Sequence, residues 1–359
     1  MQQRSFSYFA LLDAENSPGV AKKLMNTVKA ATELGLEAEE HFYPQSCIGA
    51  LNFLKALVDN RSRYIYIRYS LFLFPILFVI LLVKRLQGAK ILIDVPTPRA
   101  SVLREFDVTE SNRGKRFIKK LLTLLSASWV FFPANVVVQY GEESKWFYFG
   151  VKRKSKLVAN GIDLTDIKVN PINKIANLNL IGVAQLANWH GYDRVIRAIA
   201  ELKHKHNATV NFTVVGEGTE TSALRLLTNE LGIKNQVVFT GDVIGVELDR
   251  LFEASNIGVA SLGLFRKNLD LASDLKTREY VSRGLIVIAA GKDLDFPAGN
   301  KIRHVVPNDE SIKCLVELLL KLSREDLMSP NEVRRYAEQN LTLKMKLSYL
   351  LNVAEKNVL

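Results

Sequence analysis

The chain has 359 residues, 48% hydrophobic and 24% charged, with 20 glycines, 10 prolines and two cysteines, Cys47 and Cys314. That length suits two domains of about 150 to 180 residues; the composition excludes a disordered, collagen-like or low-complexity chain, a disulfide scaffold and a cysteine-built metal site. The formal charge of +11 is uneven, since residues 1–163 hold 23 Lys+Arg against 14 Asp+Glu and residues 164–359 hold 25 against 23.

In chain order, SYFALLD (7–13) reads as a short buried strand. Ser17 and Pro18 suit an N-cap and first helical position, Val20, Leu24, Met25, Val28 and Ala31 follow at helical spacing, and Gly35 stops the helix. The N-terminus reaches acidic residues before an adequate apolar core, so no signal peptide is read. Strand-like YIYIRYS (64–70) leads into the apolar run 70–83. With Pro75 inside it, that run is short of the roughly 20 residues that span a bilayer, and it reads as a buried helix or one partly entering an interface. ILIDV (91–95) is a strand, 104–113 a mobile loop, and 114–128 a basic helix. WVFF (129–132) and NVVVQY (135–140) look like strands, and KLVANGID (156–163) closes the half.

A polar link, 164–177, precedes a cleaner alternation. Strands are expected at 178–184, 210–216, 236–241, 257–262 and 285–290, with helices at 193–206, 219–231, 246–254, 275–283 and 310–323. Each strand is nearly continuous in apolar residues, as in parallel sheets covered by helices on both faces. The expected fold is therefore α/β, with two doubly wound Rossmann-like domains facing a central cleft and ligands at the carboxyl ends of the strands. The domains are placed at 1–163 and 164–335, with a C-terminal helix in 336–359 packing back on the first.

Chemistry-bearing residues cluster at those strand ends. Gly216 and Gly218 bracket Glu217, and Gly241 follows a strand in VVFTGDV (237–243). Glycine there lets a ligand approach the backbone, but the spacing is not a dinucleotide fingerprint. In SDLKTREYVSRGLIVIA (273–289), Ser273 and Asp274 suit a helix cap. The helix start offers free N–H groups and a positive dipole end to an anion, Lys276 adds a charge, and Glu279 can accept from ribose hydroxyls. The alternative is a capped, salt-laced helix with Arg278 and Glu279 as surface charges. His190 can meet a phosphate when protonated or donate a hydrogen bond when neutral; a structural turn histidine is the other reading. Asp193 and Arg194 read as a cap and pair at a helix start. Asp94, at a strand end, can orient an acceptor hydroxyl, and Arg99 and Glu105 can contact an acceptor. DLD (293–295) reads as a turn, the scattered histidines argue against zinc, and no metal site is expected.

GVAQLANWHGYDR (182–194), GEG (216–218), FTGDV (239–243) and LKTREYVSRGLIVIAAG (275–291) occur in the order found in the donor domain of GT-B retaining glycosyltransferases of the family 4 type. The first half, through YIYIRYS, ILIDVPTPR and NGID, resembles the bacterial subset that builds capsular and exopolysaccharides. The resemblance implies that Glu279 is the second glutamate of the E-x7-E pattern and holds the ribose. The first glutamate falls at Leu271, with Asp270 one residue off. The diphosphate-clamping Arg and Lys fall near Gln185 and His190, and Lys276 is the natural substitute. The glycine loop of the first half corresponds to Pro18–Gly19. The implied donor set is Gly19, Gln185, Gly216, Glu217, Gly241, Val243, Leu275 and Glu279, with Lys276, His190 and Asp94 at the reaction centre.

The implied activity is transfer of a sugar from a nucleotide diphosphate sugar to a hydroxyl of a lipid-linked saccharide. It is metal-independent, needs no separate cofactor and retains configuration. The implied location is cytoplasmic, peripheral on the inner face of the membrane, where the basic half meets anionic lipid through Arg113, Lys115, Arg116, Lys119 and Lys120. No nucleic-acid partner is expected. Two alternatives stand beside this reading: a catalytically silent homologue serving as a partner subunit, and a sugar-nucleotide epimerase of the same fold.

Overall fold

The computed structural model describes residues 4–13, 18–171 and 177–357. The chain forms two units, Met1–Asp163 with Thr342–Leu359, and Leu164–Leu341.

Unit 1 runs β1 (Ser5–Leu11), α1 (Pro18–Glu33), β2 (Glu37–Tyr43), α2 (Cys47–Asp59), β3 (Tyr64–Arg68), α3 (Phe74–Leu86), β4 (Lys90–Val95), α4 (Arg99–Thr109), α5 (Arg113–Ser126), β5 (Val136–Gln139), α6 (Lys145–Tyr148) and β6 (Ser155–Leu157). Its six strands are parallel in the order β2-β1-β3-β4-β5-β6. Side chains alternate across the pleat. Phe6, Tyr8, Tyr66, Leu92 and Val138 fill one face, while Phe9, Ile65, Ile67, Ile93 and Val137 fill the other. Both faces are therefore dry, which is why the strands read as unbroken apolar runs.

Unit 2 runs β7 (Leu178–Val183), α7 (Tyr192–His206), β8 (Val210–Val215), α8 (Thr221–Glu230), β9 (Val237–Gly241), α9 (Gly245–Glu253), β10 (Ile257–Val259), α10 (Leu275–Ser282), β11 (Ile286–Ala290), β12 (Arg303–Val306), α11 (Lys313–Leu322) and α12 (Pro330–Asn340). The strand order is β12-β11-β10-β7-β8-β9, again parallel. The chain direction across the sheet reverses between β7 and β10, so the loops after these two strands flank the switch point where such sheets bind ligands. A last helix, α13 (Leu343–Lys356), returns to unit 1, where Leu347, Leu350 and Ala354 join the core of Phe6 and Tyr8.

Several expectations are corrected. The stretch 104–113 is not a loop: α4 runs to Thr109 and α5 begins at Arg113, capped by the Asn112 side chain on Lys115 N at 3.0 Å. WVFF is a 3-10 turn at Trp129–Phe131, because its buried Val130 and Phe131 plug the face under α3 and do not extend the sheet. Unit 2 continues to Leu341, so α12 belongs to it and only α13 returns. Ser17 lies outside the described residues, as do 172–176 of the polar link.

Candidate functional site

The loop after β7 is tied to the loop after β8 by backbone. Leu186 N donates to Glu217 O at 2.9 Å, and Gly216 N donates to Gly241 O at 2.8 Å. A Cβ on Gly216 would lie 2.0 Å from Ala184 O, and one on Gly218 would lie 2.2 Å from Leu186 O. These two glycines are thus required by contact between protein loops, and the gap expected to admit a ligand is filled by backbone. Glu217 is exposed and 3.6 Å from Arg225, and its N–H donates to Asp242 Oδ1 at 3.2 Å, which holds the β9 end, with Gly241 and half-buried Val243, beside the same loop. Gln185 projects exposed from the rim.

The chain then turns at Asn188–His190 and enters α7 through Gly191 in a left-handed conformation, φ 65°. A Cβ there would lie 2.7 Å from backbone atoms of Leu262 and Gly263, so only glycine lets the two switch-point loops close. Leu262 N donates to His190 O at 2.9 Å across that seam. The His190 ring is buried and its Nδ1 accepts from Ala187 N at 3.1 Å. Burial first, then the positive charge of Lys276 and Lys267, holds its pKa down to about 2. His190 is therefore neutral, with its proton on Nε2. In the ligand-free chain this favours the neutral hydrogen-bond donor of the two readings of His190.

Lys276 stands opposite, in the first turn of α10 next to half-buried Leu275. Its ammonium is buried, has no hydrogen-bond partner and lies 5.7 Å from the Tyr192 ring centroid. The Tyr192 ring is in turn 5.7 Å from that of His190. Desolvation lowers the Lys276 pKa to about 8, opposed by the nearby Asp274 carboxylate. Asp274 occupies the N-cap position without bonding the first turn; its Oδ2 accepts from Ser261 N at 3.2 Å. The expected side-chain cap is absent, so Asp274 leaves the amide groups at this helix start to another acceptor. Val183 N donates to Tyr280 OH at 2.8 Å, bolting α10 to the end of β7, and the Tyr280 ring occupies the space where Gly258 lacks a side chain.

Arg278 is not a surface charge. It is fully buried, paired with both oxygens of Asp293 and, at 3.0 Å, with Asp295, so the DLD turn is the counterion of this guanidinium. Glu279 is more open, and only its Oε1 engages Arg283, whose Nη1 reaches Asp249 at 2.7 Å. Asp193 pairs with Arg266, while buried Arg194 donates to the Leu262, Pro307 and Ser311 carbonyls; both are structural. Leu271 bridges Lys292, and exposed Asp270 pairs with Lys292 at 3.3 Å. The Tyr192 ring beside the Lys276 ammonium, itself in contact with Tyr280, carries no signal in the sequence that marks it as part of the site.

In unit 1, Asp94 is fully buried at the end of β4. Its Oδ2 accepts from Tyr8 OH at 2.9 Å and Arg68 at 3.3 Å, while Oδ1 has no partner. Burial corrects the reading of a carboxylate facing an acceptor. Arg99 is likewise interior, stacked between Phe131 and Phe147 and paired with Glu143, so it is not an acceptor contact. Glu105 lies half-buried in α4, and Gly19 is exposed in the first turn of α1 with open space around it. Among the described residues no three His, Cys, Asp or Glu stand together as a metal site.

Residues 167–263 match the family profile "Glycosyl transferases group 1". No curated protein sequence matches the chain. Among solved structures, a glycosyltransferase from Rickettsia africae ESF-5 superposes with a TM-score of 0.63 at 14% identity, covering 98% of each chain. The lipopolysaccharide outer core galactosyltransferase WaaB gives 0.61 at 11%, over 99% of this chain and 100% of that one. The pneumococcal O-GlcNAc transferase GtfA, solved with UDP and GlcNAc, gives 0.56 at 14%, over 86% of this chain and 60% of that longer one. At these identities the likeness is one of fold. Residues 167–263 thus match the group 1 profile, and the chain shares the GT-B fold of these structures.

Proposed function

We propose that the chain transfers a sugar from a nucleotide diphosphate sugar to a hydroxyl of a saccharide acceptor. Retention of configuration and metal independence follow the family resemblance, as does an acceptor linked to lipid at the inner face of the cytoplasmic membrane during capsule or exopolysaccharide assembly. The observation that carries the reading is the buried, unpartnered Lys276 ammonium at the uncapped start of α10, on the switch-point side of unit 2. A buried cation without an acceptor is costly unless an anion joins it. A diphosphate supplies that anion, and as it departs its growing charge is held by Lys276, the helix N–H groups and the His190 Nε2–H. In this reading Glu279 accepts from the ribose diol, which its carboxylate oxygen outside the Arg283 pair supports.

Release of nucleoside diphosphate from a panel of nucleotide sugars, with and without saccharide acceptors, tests the activity; no turnover of any donor counts against it. Glu279→Ala is expected to weaken nucleoside diphosphate binding by about 1.5–3 kcal/mol, the scale of hydrogen bonds to charged groups. Titration calorimetry with unchanged affinity would remove Glu279 from the site.

A further inference from the structure

Two helices of unit 1 bury one side and leave an apolar stripe on the other. In and just before α3, Phe72, Ile76, Val79, Val83 and Leu86 are exposed at intervals of four and three, with Leu86 76% open. In α5, Phe117, Ile118, Leu121, Leu124 and Leu125 form a second exposed stripe. Trp129 joins them: its Nε1 donates to Leu125 O at 2.7 Å, and its ring meets Phe74 and Phe78 of α3 edge-on, with centroids 5.6 and 5.2 Å apart. Trp146 of α6 extends the same surface, donating to Leu124 O at 3.3 Å while 59% exposed, and Phe149 follows at 76%. So large an apolar surface on a folded unit marks an interaction site.

The charge around it is positive. Residues 99–156 hold 12 Lys+Arg against 5 Asp+Glu. Lys119 is neutralised by Glu110, just after α4, and Lys120 by Asp107 of α4, and Arg116 lies 3.9 Å from Asp107. Among the described residues Arg113 and Lys115 form no such salt bridge, so they are the least neutralised of the five cations of α5. Among the described residues no helix is long and apolar enough to cross a membrane.

We propose that this face of α3, α5 and α6 lies in the interface of an anionic lipid bilayer, its apolar stripes inserted and its unpaired cations at the headgroups. Apolar helix faces rimmed by Lys and Arg, with Trp and Phe at the boundary, match the chemistry of that interface. A second copy of the chain would bring the same positive rim against itself, which disfavours self-pairing. This deepens the membrane location proposed above but is tested without donor or acceptor, so it fails separately from the transferase reading.

The test is co-sedimentation of the full chain with vesicles of phosphatidylcholine alone or with phosphatidylglycerol, at low salt. Binding is expected with the anionic vesicles. Phe117→Asp with Leu121→Asp, both surface positions, is expected to lower partition at least tenfold. Arg113→Gln with Lys115→Gln is expected to lower it about 30-fold, in a salt-dependent way. Thermal melts matching the parent chain establish that the variants fold. No binding to anionic vesicles, undiminished binding by folded Phe117→Asp/Leu121→Asp, or concentration-dependent dimerisation abolished by the same pair would each overturn the proposal.

Discussion

Lys276→Ala is expected to lower donor turnover about 100-fold or more, close to 3 kcal/mol of transition-state stabilisation. The ammonium is buried and meets no acceptor in the protein, so its interaction is reserved for the ligand. Its partner at the site, His190, is neutral and adds a hydrogen bond but no charge. Gln185, the other position near the family's clamp, is uncharged and exposed. A nucleoside without phosphates should bind the variant and the parent alike, because its contacts lie elsewhere. The pH dependence has a definite sign. With a pKa near 8, Lys276 is charged at neutral pH and loses its proton as pH rises through about 8. Nucleoside diphosphate affinity should therefore be weaker at pH 9 than at pH 7. Full turnover in the alanine variant at saturating acceptor, or a rate that falls between pH 6 and 7, would end this assignment.

The largest stability effect is expected at Arg278. Its guanidinium is the counterion of Asp293 and Asp295, which are almost wholly buried with it. Arg278→Leu strips those carboxylates of their hydrogen-bonded counterion in a dry site, leaving the more distant Arg303 as the remaining cation near Asp293, at a cost of about 3–5 kcal/mol. Urea denaturation followed by circular dichroism should show a lower midpoint. Adding Asp293→Asn to the leucine variant should recover part of the loss, since it removes one stranded charge. A leucine variant as stable as the parent would mean that the ion triad contributes nothing net.

How legible this was depended on how each segment is buried. Strands covered on both faces, such as KILIDV and IVIAA, announce themselves as unbroken apolar runs. The edge strand β2, EAEEHFY, does not, because its four-residue start is mostly exposed and acidic and only its backbone pairing with β1 makes it a strand. α4 escaped notice because RASVLREFDVT has weak amphipathic order, and its place is set by Arg99 binding Glu143 forty-four residues later. Lys276 and Glu279 were readable from local order, as residues at a helix start after a strand. What Lys276 lacks, a partner, is a three-dimensional fact. So are the burial of Asp94, which the pairing of Tyr8 and Arg68 explains, and the neutrality of His190, which its neighbours impose.

The return of α13 has a consequence for the order in which the polypeptide matures. A nascent chain emerging from the ribosome delivers the strands of unit 1 first, then the whole of unit 2, and only afterwards the helix that completes the first sheet's core. Until then Phe6, Tyr8 and Tyr66 face solvent where Leu347, Leu350 and Ala354 belong, and Arg63, Tyr64 and Asn135 wait for Glu355 and Asn357. Unit 2, contiguous in sequence, can close during synthesis ahead of the unit that began earlier. A premature stop codon at 343 would accordingly leave the second-made unit intact and strip the first of one wall, an N-terminal lesion caused by a C-terminal change.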